Sequence, residues 1–261
     1  MMKSTRLWSW LLAAMLLVLW EVLAAVQGWS LLVLPPPSRI AQSLVQGLVS
    51  GFLWPHVGVT LFEMLAGLAL GCVLGLVGGV VLGEFPRWRA VLMPYVVVSQ
   101  VVPKLALVPL FIMWLGFGWW PTVVVTALIC FFPLLENTIT ALQQVDAQQQ
   151  DLFRLLRASR WQTLWRLKLP AGLPTILAGF RVAVVLSLVG AVVGEFMGAG
   201  QGLGALIIAA QGSMDTPLMF AVLGLITLMG WGVYMAAVQV EAWLLRRLSL
   251  PVRLASHDFP L

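Results

Sequence analysis

Six stretches of this chain, at residues 7–26, 57–83, 91–115, 119–135, 171–197 and 218–245, are long enough and apolar enough to lie in a bilayer. A hydrocarbon core about 30 Å thick takes roughly 20 apolar residues of helix. Backbone at that depth must satisfy its own hydrogen bonds, and for a spanning segment of this length that means helix. The remainder of the 261-residue chain offers no competing fold. Hydrophobic residues make up 61%, charged residues only 10%, and the mean hydropathy is +0.99. A soluble domain carries about 25% charged residues to solvate its surface. A soluble enzyme, a disordered chain and a secreted disulfide scaffold are therefore excluded. The expectation is an all-α polytopic membrane protein, a single domain over residues 1–261 with six transmembrane helices.

The first stretch has the basic start of a signal peptide in Lys3 and Arg6. Its apolar run is too long for one, and it carries Trp8, Trp10, Trp20 and Glu21. It reads as a retained span. Orientation follows from the basic residues, which accumulate in cytoplasmic loops. With the N-terminus inside, the inner segments hold Lys3, Arg6, Arg87, Arg89, Arg154, Arg157, Arg160, Arg166, Lys168, Arg246, Arg247 and Arg253, and the outer segments only Arg39. The expected location is the plasma (inner) membrane, multi-pass, with both termini cytoplasmic. The net charge of +5 is thereby explained without nucleic acid as a partner.

Cys72 and Cys130 lie far apart inside apolar runs, and His56 and His257 at a segment entrance and in the tail. No metal site or disulfide framework is readable from them, and they are expected to be small buried thiols and peripheral imidazoles. In the first outer segment, Pro35, Pro36 and Pro37 end any helix. Ser38 is expected to cap a short helix over 39–49 lying along the outer membrane face. Gly67, Gly71, Gly75, Gly79 and Gly83 recur every four residues and form one stripe of a helix, where another backbone can approach closely. Gly190, Gly194 and Gly198 repeat the pattern. Pro94, Pro103 and Pro109 interrupt the third stretch, with Ser99, Gln100 and Lys104 between them. Two readings stand: a kinked packing helix, or a broken helix beside a polar path.

The one long polar region, 143–168, reads as two short amphipathic helices over 147–156 and 160–167. It is about five times longer than a simple helix–helix connection requires. Leu152, Phe153, Leu155 and Leu156 group on the first helix, and Trp161, Leu164, Trp165 and Leu167 on the second. This is the pattern of a helix docked in a partner's groove; a basic amphipathic helix lying on the inner leaflet is the other reading.

Asp151-Leu152-Phe153-Arg154-Leu155-Leu156-Arg157-Ala158-Ser159-Arg160, followed by Leu167-Lys168-Leu169-Pro170, resembles the cytoplasmic Glu-Ala-Ala loop of permease subunits of ATP-binding-cassette importers. Asp151 stands at the Glu position, Arg157 at the Gly, Leu167 at the Ile, and Leu169-Pro170 match. The chain departs from the pattern at Leu152-Phe153, where the family has Ala-Ala, and at Arg157. A non-glycine residue in a left-handed turn costs roughly 1–2 kcal/mol. Thr60-Leu61-Phe62-Glu63, Pro109 to Gly118, Phe131-Phe132-Pro133, Val193 to Gly198 and Gly202-Leu203-Gly204 resemble the nitrate/sulfonate/taurine-type permeases. Gln100…Pro103-Lys104 and Gly194-Glu195-Phe196 are more similar to the branch linked with thiamine pyrimidine precursors and riboflavin-like compounds.

The resemblance implies a type I importer permease of six helices. It implies two such bundles around a central path, here a pair of identical chains, with ATPase subunits docked on the cytoplasmic loops, a solute-binding protein outside and membrane lipid around. The coupling residues it implies are Asp151, Phe153, Arg157, Ala158, Ser159, Trp161, Leu169 and Pro170. The chain has no Gly-x-x-x-x-Gly-Lys-Ser/Thr loop, so it is expected to bind no cofactor itself, with ATP and Mg on the partner ATPase. It is expected to be no enzyme: Gly-x-Ser-x-Gly and His-Glu-x-x-His are both missing. An ion-coupled carrier is disfavoured by the docking loop and the lack of an internal repeat.

Charge within a span costs about 2.5–3.5 kcal/mol, so Lys104 and Arg181 are expected to face a path or a partner. Glu63, Glu136 and Glu195 are the candidate partners. Glu21, Glu84 and Glu241, near span ends, are expected only to snorkel. The candidate solute path is Gln100, Lys104, Glu136, Asn137, Arg181 and Glu195. The same groups could instead serve only to fix the bundle through ion pairs and hydrogen bonds. The solute is expected to be a thiamine pyrimidine precursor or riboflavin-like compound, with nitrate, sulfonate, taurine or bicarbonate as alternatives.

Overall fold

The structure is a computed structural model that describes residues 2–26, 33–198 and 200–247. Its elements in order are α1 (Met2–Val26), α2 (Pro37–Val49), α3 (Leu53–Glu84), α4 (Pro86–Val101), a 3-10 turn (Lys104–Leu107), α5 (Val108–Leu115), α6 (Trp119–Gln143), α7 (Ala147–Leu155), α8 (Arg160–Thr163), a π-helical turn (Leu164–Lys168), α9 (Leu169–Gly198), α10 (Leu203–Gly212) and α11 (Thr216–Arg247). No strand occurs among the described residues.

Four helices are long and apolar enough to cross a membrane: α3, α6, the continuous run Arg160–Gly198, and α11. The third predicted stretch is broken, its two arms α4 and 104–115 meeting at 84°. The prolines explain where. Pro103 sits at the break and Pro109 in the first turn of α5, where a missing N–H costs nothing, while Pro94 is absorbed within α4. The first stretch forms a single helix, α1, as expected. The expected six spans thus appear as four unbroken helices, one bent pair and α1.

The core is built on α6, which lies between α3 and α9. The glycine stripe makes one of these contacts. A Cβ on Gly67 would lie 2.5 Å from Thr126, on Gly71 2.7 Å from the Ala127 carbonyl, and on Gly79 2.5 Å from Thr138. On its other side α6 meets a second run of small residues from α9. A Cβ on Gly194 would lie 2.7 Å from Thr122, and one on Gly190 2.9 Å from the Thr126 backbone. Gly172 and Gly179 extend this run against Ala141 and Asn137, and Gly198 meets Ile112 of α5. In lipid, where burial between helices gains little, close van der Waals packing of this kind is what holds a bundle together.

α2 begins at Pro37 with Pro36 as its cap, and Ser38 does not cap it. Instead the Ser38 N–H and hydroxyl donate to the two Glu21 carboxylate oxygens at 3.0 and 2.7 Å, tying α2 to α1. Leu44 and Leu48 pack on a buried cluster of Leu53, Leu203, Leu206, Ile207, Val222 and Ile226. This draws α2 onto the bundle beside α10 and α11 as well as along its end.

Candidate functional site

Chemistry-bearing residues gather at the two ends of the bundle. At one end lies the 143–168 loop. Asp146 caps α7, its carboxylate accepting from the Gln148 N–H at 2.9 Å. Asp151 lies in the second turn of this helix and pairs with Arg154 at 2.9 Å on an exposed face. Such a pair contributes about 0–1 kcal/mol. α7 ends in two crossing bonds, Arg157 N–H to the Arg154 carbonyl and Ala158 N–H to the Phe153 carbonyl, both 3.0 Å. This is a Schellman closure, which requires a left-handed residue at Arg157, and Arg157 has φ 53°. The loop therefore keeps the family's turn without the family's glycine. Ser159 then caps α8 with a full capping box, its N–H and hydroxyl exchanging bonds with Gln162 at 2.8 and 3.2 Å.

Arg157→Gly is expected to raise the thermal midpoint of the protein by an increment worth about 1 kcal/mol and to leave transport intact. Differential scanning of the purified protein beside a transport assay checks it. A lower midpoint would mean that the arginine makes a contact outweighing its backbone strain.

Most of the loop's apolar side chains are uncovered, while Leu164 is buried and Leu167 half-buried. Leu155 is 82% exposed and Trp161 68%, with Leu152, Leu156 and Trp165 also exposed and Phe153 half-buried. Ala158 lies in the turn, and Leu169 and Pro170 form the first turn of α9. The junction is anchored to α3: Lys168, in the π-helical turn, donates to Glu84 Oε1 at 2.6 Å, both side chains mostly enclosed.

At the other end, α10 starts inside the bundle, and its free N–H groups are met by side chains of α3 and α9. The Gly202 N–H reaches His56 Nδ1 at 3.2 Å, the Leu203 N–H the Thr60 hydroxyl at 2.8 Å, and the Gly204 N–H Glu195 Oε2 at 2.5 Å. Glu195 and Glu63 lie side by side, each about 1% exposed. Gly202 and Gly204 are the residues that let the chain come this close, since a Cβ on either would run into Glu195. Glu63 also lines a cleft of about 430 Å³ with Phe62, Trp119, Gly118, Gly200 and Gln201. Phe62 and Trp119 meet edge to face at 5.2 Å, and Trp119 stacks on Trp120 at 4.1 Å.

The six path candidates do not form one cluster. Lys104 donates to Gln100 at 2.7 Å on the bent pair. Asn137 donates to the Pro133 carbonyl at 2.7 Å beside Gly179. Glu136 has a buried oxygen without a hydrogen-bond partner among the described residues. Arg181 pairs at 3.0 Å with Glu241 of α11 and with none of the three carboxylates expected for it. Glu21, Glu84 and Glu241, set aside as snorkelling, all hold specific partners. The missed signal was antiparallel register: α9 and α11 run in opposite directions, so a mid-span cation on one lies level with a late residue on the other. His56 and Thr60 were missed because a cap supplied from another helix leaves no local pattern.

Residues 67–250 match the family described as binding-protein-dependent transport system inner membrane component. The chain is 37% identical over 232 residues to the riboflavin transport system permease protein RibX of Chloroflexus aurantiacus, covering 89% of this chain and 87% of that one. It is 36% identical over 216 residues to the formylaminopyrimidine transport permease protein ThiX of Halalkalibacterium halodurans, covering 83% and 86%. Among solved structures, a chain of the inward-facing MetNI methionine transporter superposes with a TM-score of 0.65 at 19% identity, over 73% of this chain and 94% of that one. The fold is thus that of a type I importer permease, and the chain belongs to the binding-protein-dependent inner membrane components, the multi-pass permease subunits of ATP-binding-cassette importers that work with a solute-binding protein and with separate ATPase subunits which hydrolyse the ATP.

Proposed function

We propose that the chain imports a small planar heterocycle bearing hydrogen-bond donors, of the thiamine-pyrimidine or riboflavin-like class. The observation that carries this reading is the cleft beside α10. Its lining is an aromatic wall, Phe62 and Trp119, backed by the enclosed carboxyl group of Glu63, with no lysine or arginine among the described lining residues. Carboxyl oxygens accept from ring amino or imino groups, and flat π-systems stack or pack edge to face. No cationic side chain among the described lining residues is present to hold an anion there. The names of RibX and ThiX point the same way.

In this reading two identical chains form the path, six helices each, with both termini and the 143–168 loop cytoplasmic and α2 and α10 outside. Twelve of the fifteen basic residues then lie on the cytoplasmic side. The exposed Leu152, Leu155 and Trp161 seat in a groove of the ATPase, and the loop passes nucleotide-driven motion into α9. Asp151, Phe153, Arg157, Ala158 and Ser159 line that contact. Transport of nitrate, sulfonate, taurine or bicarbonate is favoured by one observation, the half-buried cation Lys104 held by Gln100.

Solute-stimulated ATPase activity of the assembled complex with its binding protein decides between these. Riboflavin or an aminopyrimidine is expected to raise turnover severalfold, and taurine, nitrate and bicarbonate to leave it at its basal value. Stimulation by an anion alone would replace the heterocycle reading.

A further inference from the structure

Two cavities adjoin where α3 ends and α8 begins, and they differ in character. The smaller one, about 100 Å³, is walled by Val80, Val81, Phe85, Trp161 and Leu164. Val80 and Val81 lie at the end of a helix of membrane-spanning length. The larger one, about 580 Å³, is lined by Arg87, Trp88 and Arg160. Glu84, Phe85 and Arg160 border both. Glu84 carries no free charge into this space, because Lys168 neutralises it at 2.6 Å. Arg87 and Arg160 form no ion pair among the described residues. The result is an apolar slot at the end of a span-length helix, with two unpaired guanidinium groups at its mouth and an exposed indole, Trp88, beside them.

We propose that this paired cavity holds one anionic phospholipid, its phosphate between Arg87 and Arg160 and its acyl chain along Val80, Val81, Phe85 and Leu164. Charge and position both argue for a lipid. Guanidinium matches phosphate in a two-pronged geometry, and basic pockets between helices at the membrane edge are sites for acidic headgroups. A soluble phosphate would use the arginines but leave the apolar slot empty. Arg160 is the first residue of α8, so the lipid bridges the end of α3 and the coupling loop and steadies the loop where it turns back toward the membrane.

The test uses the permease–ATPase complex in nanodiscs of phosphatidylcholine doped with phosphatidylglycerol, followed by native mass spectrometry. Wild-type complex is expected to retain phosphatidylglycerol through delipidation. Arg87→Gln and Arg160→Gln are each expected to lower retention about fivefold. Arg246→Gln with Arg247→Gln, at the same end of the bundle, is expected to leave it unchanged. Excess inorganic phosphate is expected to displace nothing. Equal loss in the Arg246/Arg247 variant would reduce the effect to general attraction and overturn the site, as would displacement by phosphate. A fall in ATPase yield with lipid retention unchanged would assign the two arginines to the ATPase interface instead.

Discussion

Gly75→Leu is expected to abolish assembly of the bundle. A Cβ at this position would meet the Phe131 carbonyl oxygen and lie 3.1 Å from the Leu134 Cβ and 3.2 Å from the Leu135 N. Two of those three atoms are backbone, so no rotamer change on α6 makes room, and α3 must move off it as a unit. Overpacking costs about 1–3 kcal/mol where side chains can yield; here the cost falls on the whole α3–α6 seam. The yield of folded, ATPase-associated complex is expected to fall tenfold or more at unchanged synthesis. Gly83 gives the contrast. Its nearest neighbour is the far end of Leu142, at 2.7 Å, so Gly83→Ala is expected to cost less than Gly75→Ala. Gly224, with nothing within 4 Å, should accept leucine with normal yield. Size-exclusion profiles of the variants check the series. Normal assembly of Gly75→Leu would show that the seam is looser than the backbone contacts indicate.

How much of this was legible in the sequence depended on whether the cause was local. The glycine stripe was readable because a spacing of four maps directly onto one helix face, and its partner α6 carries Thr, Ala and Cys at the matching positions. The first helix of the loop was readable for the same reason, from the spacing of Leu152, Leu155 and Leu156, but the second, expected as a separate helix over 160–167, runs on through the π-helical turn and Leu169-Pro170 as one continuous helix, Arg160–Gly198. The break in the third stretch followed from Pro103 and Pro109, although nothing in the sequence gave its angle. What escaped reading was set by distance along the chain. Lys168 and Glu84 are 84 residues apart, and Thr60 and Leu203 are 143 apart. Arg181 was matched to the in-span carboxylates Glu63, Glu136 and Glu195, with Glu241 set aside as near a span end, whereas the antiparallel course of α9 and α11 brings Glu241 level with it. Glu195 was noticed as an intramembrane charge, yet its place is explained by the N–H groups of α10, an element expected only as part of a loop.

That long-range pair carries the second large effect. Lys168→Met is expected to uncouple the protein while leaving it able to bind its ATPase. Lys168 and Glu84 are 16% and 14% exposed, so the bridge is mostly withdrawn from water, and loss of the lysine strands a carboxylate. A buried acceptor left without its donor costs about 1–3 kcal/mol, with the 3–5 kcal/mol of a fully enclosed pair as a ceiling near there. The exposed Leu152 and Leu155, proposed above to dock on the ATPase, lie on α7 and are untouched. The bridge, however, ties the π-helical turn at the foot of α9 to the end of α3, the helix whose seam with α6 organises the bundle. A push delivered to α8 would then move α9 without α3. Solute-stimulated ATPase activity and transport are expected to fall tenfold or more, while basal ATPase activity and complex yield remain. A second substitution separates stability from coupling. Adding Glu84→Leu to Lys168→Met removes the stranded charge, so thermal stability should return toward wild type, as a double-mutant cycle through a direct contact requires. Transport should stay low, because two apolar side chains do not restore a directed link. Recovery of both stability and transport in the double variant would show that the bridge only stabilises the fold, and that coupling runs through the loop's other contacts.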